Sequence, residues 1–144
     1  MAQTDWVFSI ESKIYTIVKT RVENALKNTY PNLLVTQQQR LNDDPTLPSV
    51  FIKMLDSPET GADLEGSTVN AMYVTFEVHI TIAKDGVNNG LSGLRKIASS
   101  VLDNFKKLRF QMANHGEITR ESSDTYTTIA RYERIIGAGQ EINF

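Results

Sequence analysis

The chain contains no cysteine. That one absence removes disulfides, thiol nucleophiles, iron–sulfur clusters and cysteine-ligated zinc together. Histidine is scarce: His79 and His115 stand alone, without H-x-x-x-H spacing, so a histidine-built metal centre is not expected. No stretch approaches about 18 consecutive apolar residues, so no membrane-spanning helix is expected. The opening Met-Ala-Gln-Thr-Asp-Trp has no basic stretch followed by an apolar run, which speaks against a secretory signal. A basic excess is missing too. The formal net charge is −2, whereas a domain built to grip nucleic acid is usually basic. The phosphate-cradling patterns G-x-x-x-x-G-K-[ST] and G-x-G-x-x-G are absent, as is the G-x-S-x-G elbow of a serine nucleophile.

What is present reads as one α+β domain spanning residues 1–144. A chain of this length buries a proper core without metal or disulfide. Its hydrophobic fraction of 40% is slightly low, which fits extra polar surface in loops or subunit contacts.

Thr4 or Asp5 can cap a helix beginning at Trp6. Val7, Ile10, Ile14, Ile17, Val18, Ala25 and Leu26 recur at three- and four-residue steps, and the helix is expected to end near Tyr30-Pro31. Leu33 to Leu41 reads as a first strand, unusually polar at Gln37-Gln38-Gln39, and Asn42 to Pro45 as a turn. Ser49 to Leu55 is a second strand. Asn70 to Ala83 is the clearest one, because Val74, Phe76, Val78, Ile80 and Ile82 alternate with Thr75, Glu77, His79 and Thr81. After a cap at Asn88 or Asn89, the residues Leu91, Leu94, Ile97, Ala98, Val101, Leu102, Phe105 and Leu108 form an apolar stripe on a second helix. Two strands follow, Arg109 to Thr119 with an interruption at Asn114-His115-Gly116, and Thr125 to Ile136, joined through Ser122-Ser123-Asp124. From about residue 137 a C-terminal tail is expected to be flexible in isolation. The order α-β-β-β-α-β-β implies a mainly antiparallel sheet with both helices packed on one face.

Each polar cluster has a functional and a structural reading. Glu77 and His79 share a strand face, about 7 Å apart by strand geometry, as a base and its orienter would, but an exposed polar strand face is much the stronger explanation. His115 sits in a turn sequence. Gly90-Leu91-Ser92-Gly93 opens a helix after a strand, where a phosphate can sit, yet a loop and cap account for it. Lys106, Lys107 and Arg109 cluster at a helix C-terminus, where the macrodipole favours cations without any ligand. Arg131, Glu133 and Arg134 read as a mixed-charge strand face. The segment Asp56 to Asn70 carries Asp56, Glu59, Asp63 and Glu65 and no Lys or Arg. Its spacing is not that of a calcium loop. Its length and single sign of charge make these four carboxylates the candidate interface or lumen loop. No catalytic, cofactor-binding or metal-binding residues are assigned.

The run Leu47-Pro48-Ser49-Val50-Phe51-Ile52-Lys53-Met54-Leu55-Asp56-Ser57-Pro58-Glu59-Thr60-Gly61-Ala62-Asp63-Leu64-Glu65-Gly66 resembles tail terminator (tail completion) proteins of long-tailed bacteriophages and prophages. The strand after it, the helix from Asn88 to Leu108 and Ile129-Ala130-Arg131-Tyr132-Glu133 resemble the same family, so the likeness covers residues 6–137. The resemblance implies a structural virion subunit that assembles with itself into a ring, commonly a hexamer. Such a ring caps the tail tube, ends its polymerisation and offers a docking surface to the head connector or head-completion protein. It further implies tube protein as a partner, sheath protein if the tail is contractile, no catalytic step and no cofactor. DNA would pass through the ring without specific binding, past carboxylates that repel it, and the protein would reside in the virion tail after assembly in the host cytoplasm. The polar Gln37-Gln38-Gln39 strand departs from the pattern and would lie against a neighbouring subunit. The alternatives from the residues are another head–tail joining or minor tail protein, a nucleic-acid-binding module using Lys106, Lys107 and Arg109, and a small enzyme built on Glu77 and His79.

Overall fold

A computed structural model describes residues 5–37, 47–60, 71–122 and 124–137. It contains two helices, α1 (Asp5–Leu26) and α2 (Gly90–Lys107). Its strands are β1 (Leu34–Thr36), β2 (Ser49–Met54), β3 (Glu59–Thr60), β4 (Ala71–Ala83), β5 (Gln111–His115), β6 (Thr119–Ser122) and β7 (Thr125–Gly137). The fold is α+β, with the helices on one face of a mostly antiparallel sheet, as the element order implied.

The sheet is organised by β4 and β7. They pair antiparallel along their whole length, from Ala71 opposite Gly137 to Ala83 opposite Thr125. The strand order is β1-β2-β4-β7-β5, with β3 on β4 and β6 on β7, and β1 joins β2 in parallel. The core lies between the sheet and the helices. Val74, Phe76, Val78, Ile80 and Ile82 are buried on the helix side of β4, against Leu94, Ile97, Val101 and Phe105 of α2. On α1 the fully covered positions are Ile10, Ile14, Val18, Val22 and Leu26, a strict four-residue spacing that the turn residue Tyr30 continues. Such a row runs along a single ridge of the helix, the ridge that packs into a neighbour's groove. At the centre, Phe105 stacks on Tyr132 with ring centroids 4.4 Å apart and 3° between planes, and meets Phe110 edge-on at 5.3 Å. Phe76 closes the cluster at 5.8 Å from Phe105. Burial of this cluster pushes the Tyr132 phenol up to about 12.

Several sequence expectations are corrected. The first strand pairs only over Leu34–Thr36; Gln37 is exposed beyond it, and Gln38, Gln39 and the turn at Asn42 to Pro45 lie outside the described residues. Side chains of α1 fasten this short strand: Tyr15 Oη and Lys19 Nζ both donate to the Val35 carbonyl at 3.2 Å. Helix α1 ends at Leu26 rather than near Tyr30, and the chain turns there through Tyr30 N–H to Leu26 O at 2.8 Å. The stretch from Arg109 to Thr119 is interrupted, as expected, but the interruption follows Asn114 and His115, which belong to β5, and the second piece, β6, runs on to Ser122; each piece has a register shift against β7. The break falls at Gly116, where a Cβ would lie 2.6 Å from the Ile129 carbonyl oxygen, so backbone approaches backbone too closely for any side chain. Leu91 is exposed rather than part of the apolar stripe.

Candidate functional site

The acidic segment does not stay together as one loop. Glu59 belongs to β3, opposite Met72 of β4, so a short strand interrupts what the sequence suggested was connector. Asp56 precedes it and is exposed, as is Glu59. Asp63 and Glu65 lie outside the described residues. Asp56 lines a cavity of about 730 Å³ on the sheet face away from the helices, together with Lys53, Thr75, Arg131 and Glu133.

That outer face is built by register. Alternation turns Tyr73, Thr75, Glu77, His79 and Thr81 outward from β4, while β2 contributes Phe51 and Lys53 and β7 contributes Ile129, Arg131, Glu133 and Ile135. Lys53, Glu77 and Arg131 fall in one line across three strands, and so do Phe51, His79 and Ile129. Directly opposed side chains interact, and here they do so strongly. Glu77 Oε2 accepts a hydrogen bond from Arg131 Nε at 2.9 Å and lies 2.9 Å from Arg131 Nη2 in an ion pair, and Glu77 Oε1 lies 2.7 Å from His79 Nε2. The His79 ring leans on Phe51 with centroids 5.4 Å apart. Glu77 is only 12% exposed. Burial alone would raise its pKa, but the hydrogen bonds from His79 and Arg131 outweigh that and hold the carboxyl below its ordinary range. The strand geometry therefore brings the pair from sequence analysis into contact and adds Arg131, which a sequence pattern cannot supply because its partnership is set by pairing between distant strands. The arrangement is an internally satisfied cross-strand ion pair, which accounts for these residues without a substrate.

Around this polar centre the outer face carries large apolar side chains. Tyr73, Ile129 and Ile135 are 36%, 38% and 57% exposed. Tyr73 and Ile135 are directly opposed, and a hydrogen bond to the Glu133 carboxylate, with burial, pushes the Tyr73 phenol up. On the other side, a groove of about 600 Å³ runs between α2 and the β5 edge, lined by Leu94, Ala98, Leu102, Met112, Ile118 and Tyr132. His115 borders it at the end of β5, where it is part of a strand rather than a turn. Every residue of β5 is exposed.

The remaining candidates resolve into structural roles. Gly90 opens α2 with φ +76°, and at Gly93 a Cβ would lie 2.1 Å from the Asn88 carbonyl oxygen, so these glycines serve the close seating of the helix on the preceding turn. Asn89 holds the N-cap position, but its side chain donates to Asp85 O at 2.9 Å instead of capping the helix. Arg131 and Arg134 do not share a face. Arg134 points to the helix side, where Nη1 donates to the Leu108 carbonyl at 2.8 Å, and burial with the nearby charge of Arg109 lowers its pKa. It thus sits at the C-terminus of α2, where carbonyls lack partners and a cation is favoured. Lys106 and Lys107 occupy the last helical turn and are exposed. Among the described residues no group of three or more His, Asp or Glu could hold a metal ion, and no helix is long and apolar enough to cross a membrane.

No protein-family model matches the chain, and no curated protein does. Among solved structures, a protein of Akkermansia muciniphila determined without its transmembrane region aligns over 91% of this chain and 87% of its own, at 8% identity and a TM-score of 0.36. The sheath/tube terminator of an extracellular contractile injection system, PVC, in its extended state, aligns over 89% of this chain at 12% identity and a TM-score of 0.38. This chain spans 60% of the length of that terminator. At these scores neither likeness assigns a role.

Proposed function

We propose that the chain is a structural subunit of a phage-type tail that assembles with itself into a ring, caps the tail tube and ends its growth. The ring would present its free face to a head connector, and to sheath protein where the tail is contractile, while DNA passes through without specific binding. The reading involves no catalytic step and no cofactor. Its sequence support is the resemblance over residues 6–137. The structural observation that carries it is the distribution of exposed surface. Tyr73, Ile129 and Ile135 stand out on the open sheet face, and β5 is a fully exposed edge strand beside an apolar groove. Exposed edges and apolar faces are liabilities in a monomer and assets in an assembly, where other subunits cover them.

The test is electron microscopy of the purified protein, alone and mixed with tail tubes, with sedimentation in parallel. Rings with a central hole, and tubes closed at one end, are expected. A protein that remains monomeric at all concentrations and leaves tubes open would overturn the reading. Binding along the side of the tube or at its distal tip would favour another minor tail protein instead.

A further inference from the structure

Phe8, near the start of α1, is 89% exposed, the most exposed aromatic ring among the described residues. The helix itself puts it there. Ile10 and Ile14 are buried on α1, and two residues back from Ile10 is about 200° of rotation, which turns Phe8 to the opposite side. Glu11 follows one turn later, so its carboxylate and the ring share a face. Single exposed apolar residues are common on monomers, but this one has nearly its whole ring left to bury.

The same chain carries a groove that suits the ring. The space of about 600 Å³ between α2 and β5 is walled by Leu94, Ala98, Leu102, Met112 and Ile118, with Arg95 beside it. Met112 is 39% exposed and Arg95 is exposed. Neither Arg95 nor Glu11 makes an ion pair among the described residues. An aromatic anchor in an apolar groove, with an opposite-charge pair next to it, is the arrangement from which protein contacts draw most of their energy.

Within one copy the two features stand apart. Tyr15 and Lys19 fasten α1 over β1, at one edge of the sheet, whereas the groove lies at β5, the other edge of the order β1-β2-β4-β7-β5. Four strand spacings of about 4.8 Å put those edges roughly 19 Å apart. A contact between ring and groove therefore joins two different surfaces of two copies. Such a heterologous contact repeats head to tail and makes a ring when its rotation closes.

We infer that Phe8 of one copy inserts between α2 and β5 of the next, with Glu11 paired to Arg95 at the rim. This rests on the ring reading and adds which surfaces form the joint.

The test is analytical ultracentrifugation of variants at both surfaces. Phe8→Ala is expected to raise the self-dissociation constant by about tenfold or more, with an unchanged circular dichroism spectrum because the ring is so little covered within its own copy. Met112→Glu, at an exposed position of the groove wall, is expected to do the same. Mixed together, these two variants should form one-to-one pairs and stop there, since a single intact joint remains between them. Glu11→Arg and Arg95→Glu are each expected to weaken association, and the double variant to recover it. Rings that survive Phe8→Ala, or a mixture that forms no pairs, overturn this joint and leave the ring reading in place. A double charge variant as weak as the single ones overturns the pairing of Glu11 with Arg95. A wild-type chain that never associates and never caps tubes overturns the ring reading and this inference together.

Discussion

Phe105→Ala is the perturbation with the most to say about this fold. Phe105 is completely buried and touches three aromatic rings at once: Tyr132 stacked at 4.4 Å, Phe110 at 5.3 Å and Phe76 at 5.8 Å. It also joins α2 to both long strands, since Phe76 lies on β4 and Tyr132 on β7. Truncating a buried phenylalanine costs about 3–5 kcal/mol, the lost transfer energy plus the cavity left behind. The upper half of that range is expected here, because each well-placed aromatic pair adds about 0.5–1.5 kcal/mol beyond its buried area and three are lost together. Against a typical total stability of about 5–15 kcal/mol, that is about a quarter of the whole or more. In a urea titration followed by circular dichroism, the midpoint should fall while the slope stays constant, because the surface exposed on unfolding hardly changes. Phe105→Leu should lose less than half as much. A loss below about 1.5 kcal/mol for the alanine variant would mean that the aromatic cluster does not hold helix to sheet as described.

Three further outcomes are expected. Glu77 titrates lower in the folded chain than its ordinary value of 4.5, so its ionised form contributes stability that is complete above about pH 4.5 and is lost as the pH falls through the folded value. Thermal melts of wild type and Glu77→Gln should therefore differ at neutral pH and converge in acid; a constant difference would refute the pairing with Arg131 and His79. Gly93→Ala should destabilise by about 1–3 kcal/mol in a denaturant titration, because its Cβ would sit 2.1 Å from the Asn88 carbonyl oxygen, whereas the same change at an unconstrained helical position stabilises by about 1 kcal/mol. Arg134→Ala should cost about 1–2 kcal/mol in the same measurement through loss of the hydrogen bond to the Leu108 carbonyl, the lower end reflecting its partial exposure.

What the sequence determined by itself was whatever depends on local period. The strict alternation from Val74 to Ile82 named the buried face of β4, and the three- and four-residue stripe from Leu94 to Phe105 named that of α2, because side-chain direction along one element follows from its own geometry. The single sign of charge after Asp56 was likewise legible residue by residue. Tertiary structure alone decided everything that depends on register between distant strands. The pairing of β4 with β7 put Arg131 opposite Glu77 and tied Glu77 and His79 into a cross-strand network. The parity of β7 sent Arg134 to the helix side, away from Arg131, although they stand only three residues apart. Phe110 and Tyr132 entered the core through the packing of α2 on the sheet, which no local pattern marks. Contacts of high sequence separation form only when the whole chain closes, and it is there that the polar groups of this protein acquire their partners.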